Sequence, residues 1–247
     1  MSKLLIVEED KTLCNIFKEL LSVDKSFNFD IANSYKEAQE YLNRFRYEFS
    51  VVSRTLSDAK DGKIIALLNK YNVAPIVFTQ DIDEDFVEGF EGANIVEYIL
   101  RHRYNNVKYV VSRLKQLQQN KQTKILLVHE SDIYRRYLKQ NLALHNFKVL
   151  DVSSANEAIQ KLELHPDIAL TFVSDKLKQV GGVTGFDGLE LVKRVSKMEL
   201  NSMKIIAIVS ESNSYKTSLY LTEGADDYLI NQFSRDELYV RVYQNLK

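Results

Sequence analysis

Lys3-Leu4-Leu5-Ile6-Val7-Glu8-Glu9 returns later in the chain as Lys124-Ile125-Leu126-Leu127-Val128-His129-Glu130, displaced by 121 positions. Self-similarity at a fixed spacing marks a repeated architecture. The spacing persists: Ser34-Tyr35-Lys36-Glu37-Ala38 returns as Ser154-Ala155-Asn156-Glu157-Ala158 at 120, and Val51-Val52-Ser53 as Phe172-Val173-Ser174 at 121. Beyond that point Phe78-Thr79 aligns with Val209-Ser210 at 131. About ten residues are therefore inserted in the second copy, and the glycine-rich Gln179 to Gly185 is the place for them. The chain reads as two homologous units, residues 1–120 and 121–247.

Within a unit, short apolar runs alternate with amphipathic segments. In unit one the runs are Lys3–Val7, Phe27–Ala32, Phe49–Ser53, Pro75–Thr79 and Asn94–Leu100. Between the first two, Leu13, Ile16, Phe17, Leu20 and Leu21 recur at helical spacing. Ser34-x-x-Glu37, Ser154-x-x-Glu157 and Ser234-x-x-Glu237 have the form of capping boxes, which satisfy orphan amides at helix starts. Strands rich in Ile, Val and Phe without polar alternation are buried on both faces, as in a parallel sheet covered by helices. Each unit is therefore expected to be an α/β domain with a doubly wound, five-stranded parallel sheet. A last helix of unit one, Tyr104 to about Gln119 with a stripe of Val107, Val110, Val111, Leu114 and Leu117, leads into a short polar junction.

Composition narrows the function classes. At 45% hydrophobic and 27% charged the chain has material for real cores, and runs such as Ile205–Val209 are too short to span a membrane. Thirty-three basic residues against 34 acidic ones leave a net charge of −1, without the basic excess of a nucleic-acid binder. Cys14 is the single cysteine, so an internal disulfide or a cysteine zinc site is excluded. Met1-Ser2-Lys3 runs straight into an apolar strand, so no secretory signal is expected, and the single free thiol of Cys14 fits a reducing cytoplasm.

Open parallel sheets gather ligands at the carboxyl ends of their strands. There stand Glu8 and Glu9 in unit one and His129 and Glu130 in unit two, after the first strands. Ser53 and Ser174 end the third strands, and Thr79 and Ser210 the fourth. Arg101 and Asn231 end the fifth strands, with Tyr98 and Tyr228 three residues earlier. Gly224-Ala225-Asp226-Asp227-Tyr228-Leu229, then Phe233-Ser234-Arg235-Asp236-Glu237-Leu238, and the earlier Gly185-Phe186-Asp187-Gly188-Leu189-Glu190-Leu191 complete the pattern.

These residues resemble the receiver domain of bacterial two-component response regulators, nearly end to end in both units. The resemblance implies a flavodoxin-like receiver fold, with an acidic pair after strand one and a phosphate-accepting Asp ending strand three. It also implies a Ser or Thr ending strand four, an aromatic on strand five, and Lys-Pro at its end. The sequence departs from that pattern. Ser53 and Ser174 stand at the acceptor-equivalent positions, and a neutral hydroxyl is a poor nucleophile without an adjacent base. Arg101 and Asn231 replace the Lys, and His102 and Gln232 follow where Pro is expected. Asp175, directly after Ser174, is the alternative acceptor, although alternation along a strand turns neighbouring side chains to opposite faces. Asp58 lies farther along the loop after strand three of unit one and ranks below it.

No cofactor is expected. Weak Mg²⁺ binding at Glu8 and Glu9 is the one alternative, against an internal Glu–Arg bridge to Arg101. His129 lacks a second His or Cys at ligand spacing, and the Gly181–Gly185 loop lacks the Lys-Ser/Thr of a phosphate cradle. The reading is thus a pair of pseudo-receivers that regulate by contact with each other, a twin chain, a sensor kinase or an output module, without binding nucleic acid or membrane. In the family the surface of helix 4, strand 5 and helix 5 serves for pairing, here about residues 83–119 and 213–247. The arrangement is similar to the paired receivers that precede a diguanylate cyclase (GGDEF) domain. No cyclase residue is recognised in this chain, which ends at Leu246-Lys247 either as a stand-alone regulator or as the N-terminal part of something longer. The alternatives are a phosphorelay receiver using Asp175, and a small-ligand or ion sensor at Glu8, Glu9, Ser53 and Thr79.

Overall fold

The computed structural model describes residues 2–23, 25–82, 89–90, 92–101, 104–178, 187–198, 202–210 and 214–247, with the side chains of residues 104, 105 and 214 excepted. Two compact units divide the chain, Met1–Gln119 and Asn120–Lys247.

Unit one runs β1 (Ser2–Val7), α1 (Lys11–Val23), β2 (Phe27–Ala32), α2 (Tyr35–Arg44), β3 (Phe49–Ser53), α3 (Lys63–Lys70), β4 (Pro75–Thr79), β5 (Glu97–Leu100) and α4 (Tyr104–Asn120), whose last residue falls in unit two. Its five strands are all parallel in the order β2-β1-β3-β4-β5. Leu4, Leu5, Ile6 and Val7 are all fully buried, and alternation sends them to two cores. Leu4 and Ile6 join Phe17 and Leu21 of α1 and Val107, Val110 and Leu114 of α4. Leu5 and Val7 join Ala38 and Leu42 of α2 and Ile64, Ile65 and Leu68 of α3. Each fully buried Leu, Ile or Phe contributes about 1.5–3 kcal/mol. Strand β5 is shorter than the apolar run Asn94–Leu100, because Ile95 and Val96 enter the cores from the approach to the strand.

Unit two repeats the plan with β6 (Lys124–Val128), α5 (Asp132–Leu144), β7 (Lys148–Val152), α6 (Ala155–Leu164), β8 (Ile168–Ser174), α7 (Gly188–Val195), β9 (Lys204–Val209), α8 (Ser214–Thr222), β10 (Asp227–Ile230) and α9 (Arg235–Asn245). The parallel order β10-β9-β8-β6-β7 is the same order read from the other edge. Ser154 and Glu157 form a full capping box, whereas Glu37 of the Ser34 cap reaches back to the Asn33 amide instead. Gly188 opens α7 against the end of β8, where a β-carbon would lie 2.0 Å from the Ser174 carbonyl oxygen. Only glycine permits that approach, and it seats α7 at the sheet mouth. The expected insertion, Gln179 to Gly185, lies outside the described residues.

Candidate functional site

The central strands pair in the same way in both units: Ser53 with Phe78 and Ser174 with Ile208. Arg101 and Asn231 likewise donate their amides to Thr79 and Val209, each at 2.7 Å. Thr79 is thus the counterpart of Val209, and Ser210 stands one residue past β9 where unit one has Gln80. The alignment of Thr79 with Ser210 shifts by one residue for that reason.

At the unit-one mouth, Glu8 is 3% exposed and fully engaged. The Ser53 hydroxyl donates to Glu8 Oε2 at 2.5 Å, and the Asp10 amide donates to Oε1 at 2.9 Å. Arg101 Nη2 donates to Oε1 at 3.1 Å, while its Nη1 lies 3.4 Å from the Ser53 hydroxyl. A carboxylate buried to this degree requires such a partner, since an uncompensated charge there costs several kcal/mol. Glu9 points elsewhere and accepts from the amide and hydroxyl of Ser57 at 2.7 and 2.6 Å. Thr79 donates to the Asp81 carbonyl at 2.9 Å, and half-buried Tyr98 packs against the α2–α3 core. Asp58 accepts from the Tyr35 and Lys36 amides at the start of α2, and the Tyr35 bond leads in holding its carboxyl below the ordinary value. Its role is a helix cap. The residue after Ser53 is Arg54, which reaches Asp81 at 3.3 Å.

Unit two differs in kind. Strand β8 ends at Ser174, whose hydroxyl accepts from the Lys176 amide at 3.2 Å. The carboxylate at this mouth is Asp175, with a side chain 2% exposed. Its Oδ2 accepts from the Ser210 amide at 2.9 Å, the Ser210 hydroxyl at 2.7 Å and Lys216 Nζ at 2.5 Å. Alternation holds within a strand, and Asp175 lies just past its end. Its amide still pairs with the Ile208 carbonyl, while the carboxylate is drawn to Ser210 and Lys216. Burial raises its pKa, but Lys216 and Ser210 outweigh burial and hold it below the ordinary carboxyl value.

His129 stacks on Tyr134 at 4.4 Å, and burial, aided by Arg135, lowers its pKa to about 4 against the raising influence of Asp175. It is neutral at pH 7. Its Nδ1 accepts from the Ser131 amide at 3.0 Å, which leaves the proton on Nε2 and no lone pair there for a metal. Glu130 is exposed. Asn231 turns its amide oxygen back to the Gln232 amide at 3.2 Å, and half-buried Tyr228 lies under Arg241 at 5.9 Å. His102 and the Gly181–Gly185 loop lie outside the described residues.

Neither mouth fits Mg²⁺ as arranged, since that ion wants several free hard oxygens. Glu8 and Asp175 Oδ2 are each held by three donors, one of them a cation, Glu9 is turned to Ser57 and Arg54 brings a further cation. Among the described residues no group of three or more His, Cys, Asp or Glu side chains is placed to hold a metal. Two residues went unremarked in the sequence. Arg54 is found by the repeat itself, since 121 positions carry it onto Asp175. Lys216 sits in a helix at no motif spacing.

The fold and the two strand-end mouths define a class, doubly wound five-stranded parallel-sheet domains with a paired carboxylate at the mouth. Residues 125–243 match the response regulator receiver domain, so unit two is a domain of that family and unit one, with the same strand order, is receiver-like. The transcriptional regulatory protein ResD of Bacillus subtilis (strain 168) is 28% identical over 127 residues, 51% of this chain and 49% of ResD. The chain spans about half the length of the curated relatives it matches. Two solved structures assigned as two-component system response regulator/GGDEF domain proteins match 100% of this chain and 98% of theirs. They are 27% and 26% identical, with TM-scores of 0.82 and 0.81. No helix among the described residues is long and apolar enough to cross a membrane.

Proposed function

We propose that this chain is the regulatory region of a response regulator whose two receiver-type units work by contact, without turnover of an acyl phosphate. One observation carries the reading: each mouth is already closed by an internal cation. Glu8 is held by Arg101 and Ser53, and Asp175 by Lys216 and Ser210. A phosphoryl group arriving at either mouth would displace a formed ion pair and would find no free set of hard oxygens for a divalent ion. Unit one also presents Arg54 where unit two presents Asp175, so it has no carboxylate at that position to accept a phosphoryl group.

The surfaces proposed for contact are those of α4 with β5 in unit one and of α8, β10 and α9 in unit two. Tyr109 in the first, and Tyr215, Leu221 and Val240 in the second, are exposed apolar residues on these elements. Partners of this reading are a twin chain, a sensor kinase or an output module. The likeness to response regulator/GGDEF proteins favours a cyclase as the module, in the cytoplasm. Sedimentation of the full chain, with and without Leu221→Glu and Val240→Glu, tests the pairing surface. Self-association lost in these variants supports it, and a monomer at all concentrations removes the twin chain.

A second reading has its own support. Asp175 is a buried carboxylate just past the end of the central strand, bonded to a hydroxyl just past the end of the next. In this reading unit two accepts phosphate on Asp175. Incubation with acetyl phosphate and Mg²⁺ followed by intact mass decides between them. An unchanged mass supports contact regulation, and a phosphoryl adduct lost in Asp175→Asn establishes the phosphorelay.

A further inference from the structure

Helix α8 is thinly anchored. Among its described side chains only Thr217 and Tyr220 are buried, while Tyr215 and Leu221 are 75% and 42% exposed. Its first turn contains no acidic residue and instead carries Lys216. A cation there opposes the helix dipole, which favours negative charge at a helix N-terminus. The missing negative charge comes from outside the helix, because Lys216 Nζ meets Asp175 Oδ2 at 2.5 Å. Asp175 therefore neutralises Lys216 and lays a buried carboxylate at the helix start. The cation of the unit-one mouth comes by a different route. Arg101 follows strand β5, so the charge at Glu8 is read by a strand end. At the matching place in unit two Asn231 is neutral and folds back on its own loop.

We propose that Lys216 is a positioning residue that latches α8 to the β8 mouth, so that the charge on Asp175 sets directly how firmly α8 is held. Anything that removes that charge or occupies the carboxylate frees the first turn of α8, with no intermediate movement of β10. Tyr220, one turn beyond Lys216, is buried in the unit-two core and anchors the middle of the helix independently of that ion pair. The inference deepens the contact reading, on which it rests only for the consequence that α8 belongs to the contact surface.

Hydrogen exchange of the full chain in the absence of any phosphodonor tests the latch. Lys216→Gln and Asp175→Asn are each expected to speed exchange of the α8 amides about tenfold, while α6 and α9 keep their protection. Lys216→Arg is expected to stay within about twofold of the parent, because it keeps the cation. A carboxyl-carbon titration separates a latch from mere packing: Asp175 should titrate higher in Lys216→Gln and stay low in Lys216→Arg. Unchanged α8 exchange in Lys216→Gln would overturn the proposal, as would an Arg variant that behaves like the Gln variant in both measurements. If Lys216→Gln unfolds the unit, the Arg variant and Asp175→Asn carry the test. A phosphoryl adduct on Asp175 would sink the contact reading and leave these outcomes untouched.

Discussion

Arg54 and Asp175 hold the same place in the two units: each directly follows the serine that closes the central strand and pairs with β4 or β9. One copy carries a cation there and the other an anion. Each mouth nevertheless pairs its buried carboxylate with an internal cation, Arg101 on Glu8 in unit one and Lys216 on Asp175 in unit two. The pair has diverged in the sign of its central residue while keeping the fold and the principle of a compensated charge.

Removing the unit-one cation should be costly. Arg101→Met leaves Glu8 buried with only neutral donors, and a loss of about 3 kcal/mol is expected for breaking such a pair. Urea denaturation measures it. Adding Glu8→Gln should recover part of the loss, since the buried charge then disappears.

His129 sets a pH dependence in unit two. Its folded pKa of about 4 lies below the ordinary histidine value of about 6.5, so the unfolded chain takes up a proton first as the pH falls. Stability is therefore full above about pH 6.5 and declines down to about pH 4, by up to about 3 kcal/mol. His129→Gln should flatten that slope in denaturation curves recorded between these limits. Asp175 acts in a lower window: its depressed carboxyl stabilises the fold above the ordinary carboxylate value and ceases to do so as pH falls through its folded pKa. Asp175→Asn should remove that lower step and leave the histidine step.

Gly188 supports the mouth mechanically. Alanine there would place a methyl group 2.0 Å from the Ser174 carbonyl oxygen, so α7 must move. Gly188→Ala is expected to cost about 2 kcal/mol in thermal or urea unfolding and to perturb the Asp175 and Ser210 amides.

Ser154→Ala removes one arm of the capping box and should lower stability by about 1 kcal/mol, with Glu157 left bonded only to the amides and hydroxyl ahead of α6. Denaturant midpoints of the two proteins compare them directly.

Much of the fold was legible because burial on both faces leaves unbroken apolar runs, and because the repeat supplied each strand twice. Phe27–Ala32, Phe49–Ser53 and Pro75–Thr79 coincide with strands to the residue. The mouths were harder to read. The strand period placed Ser174 at the acceptor position and turned Asp175 away, but that period governs side chains only while the ladder lasts, and the structure lets Asp175 turn toward Ser210 just past it. Thr79 and Ser210 look equivalent by residue type, yet the hydrogen-bond register separates them by one place. Lys216 could not be matched by spacing, since a cation that reaches a strand mouth from a neighbouring helix leaves no motif. A first turn that carries a lysine and no acid was the one available signal.

The most direct test of contact regulation is the amide spectrum of the full chain with beryllofluoride and Mg²⁺ added. The account predicts that the Arg54, Asp175, Ser210 and α8 amides keep their positions, because both carboxylates remain with their internal cations. Saturable shifts at Asp175 and Ser210 that vanish in Asp175→Asn would contradict it.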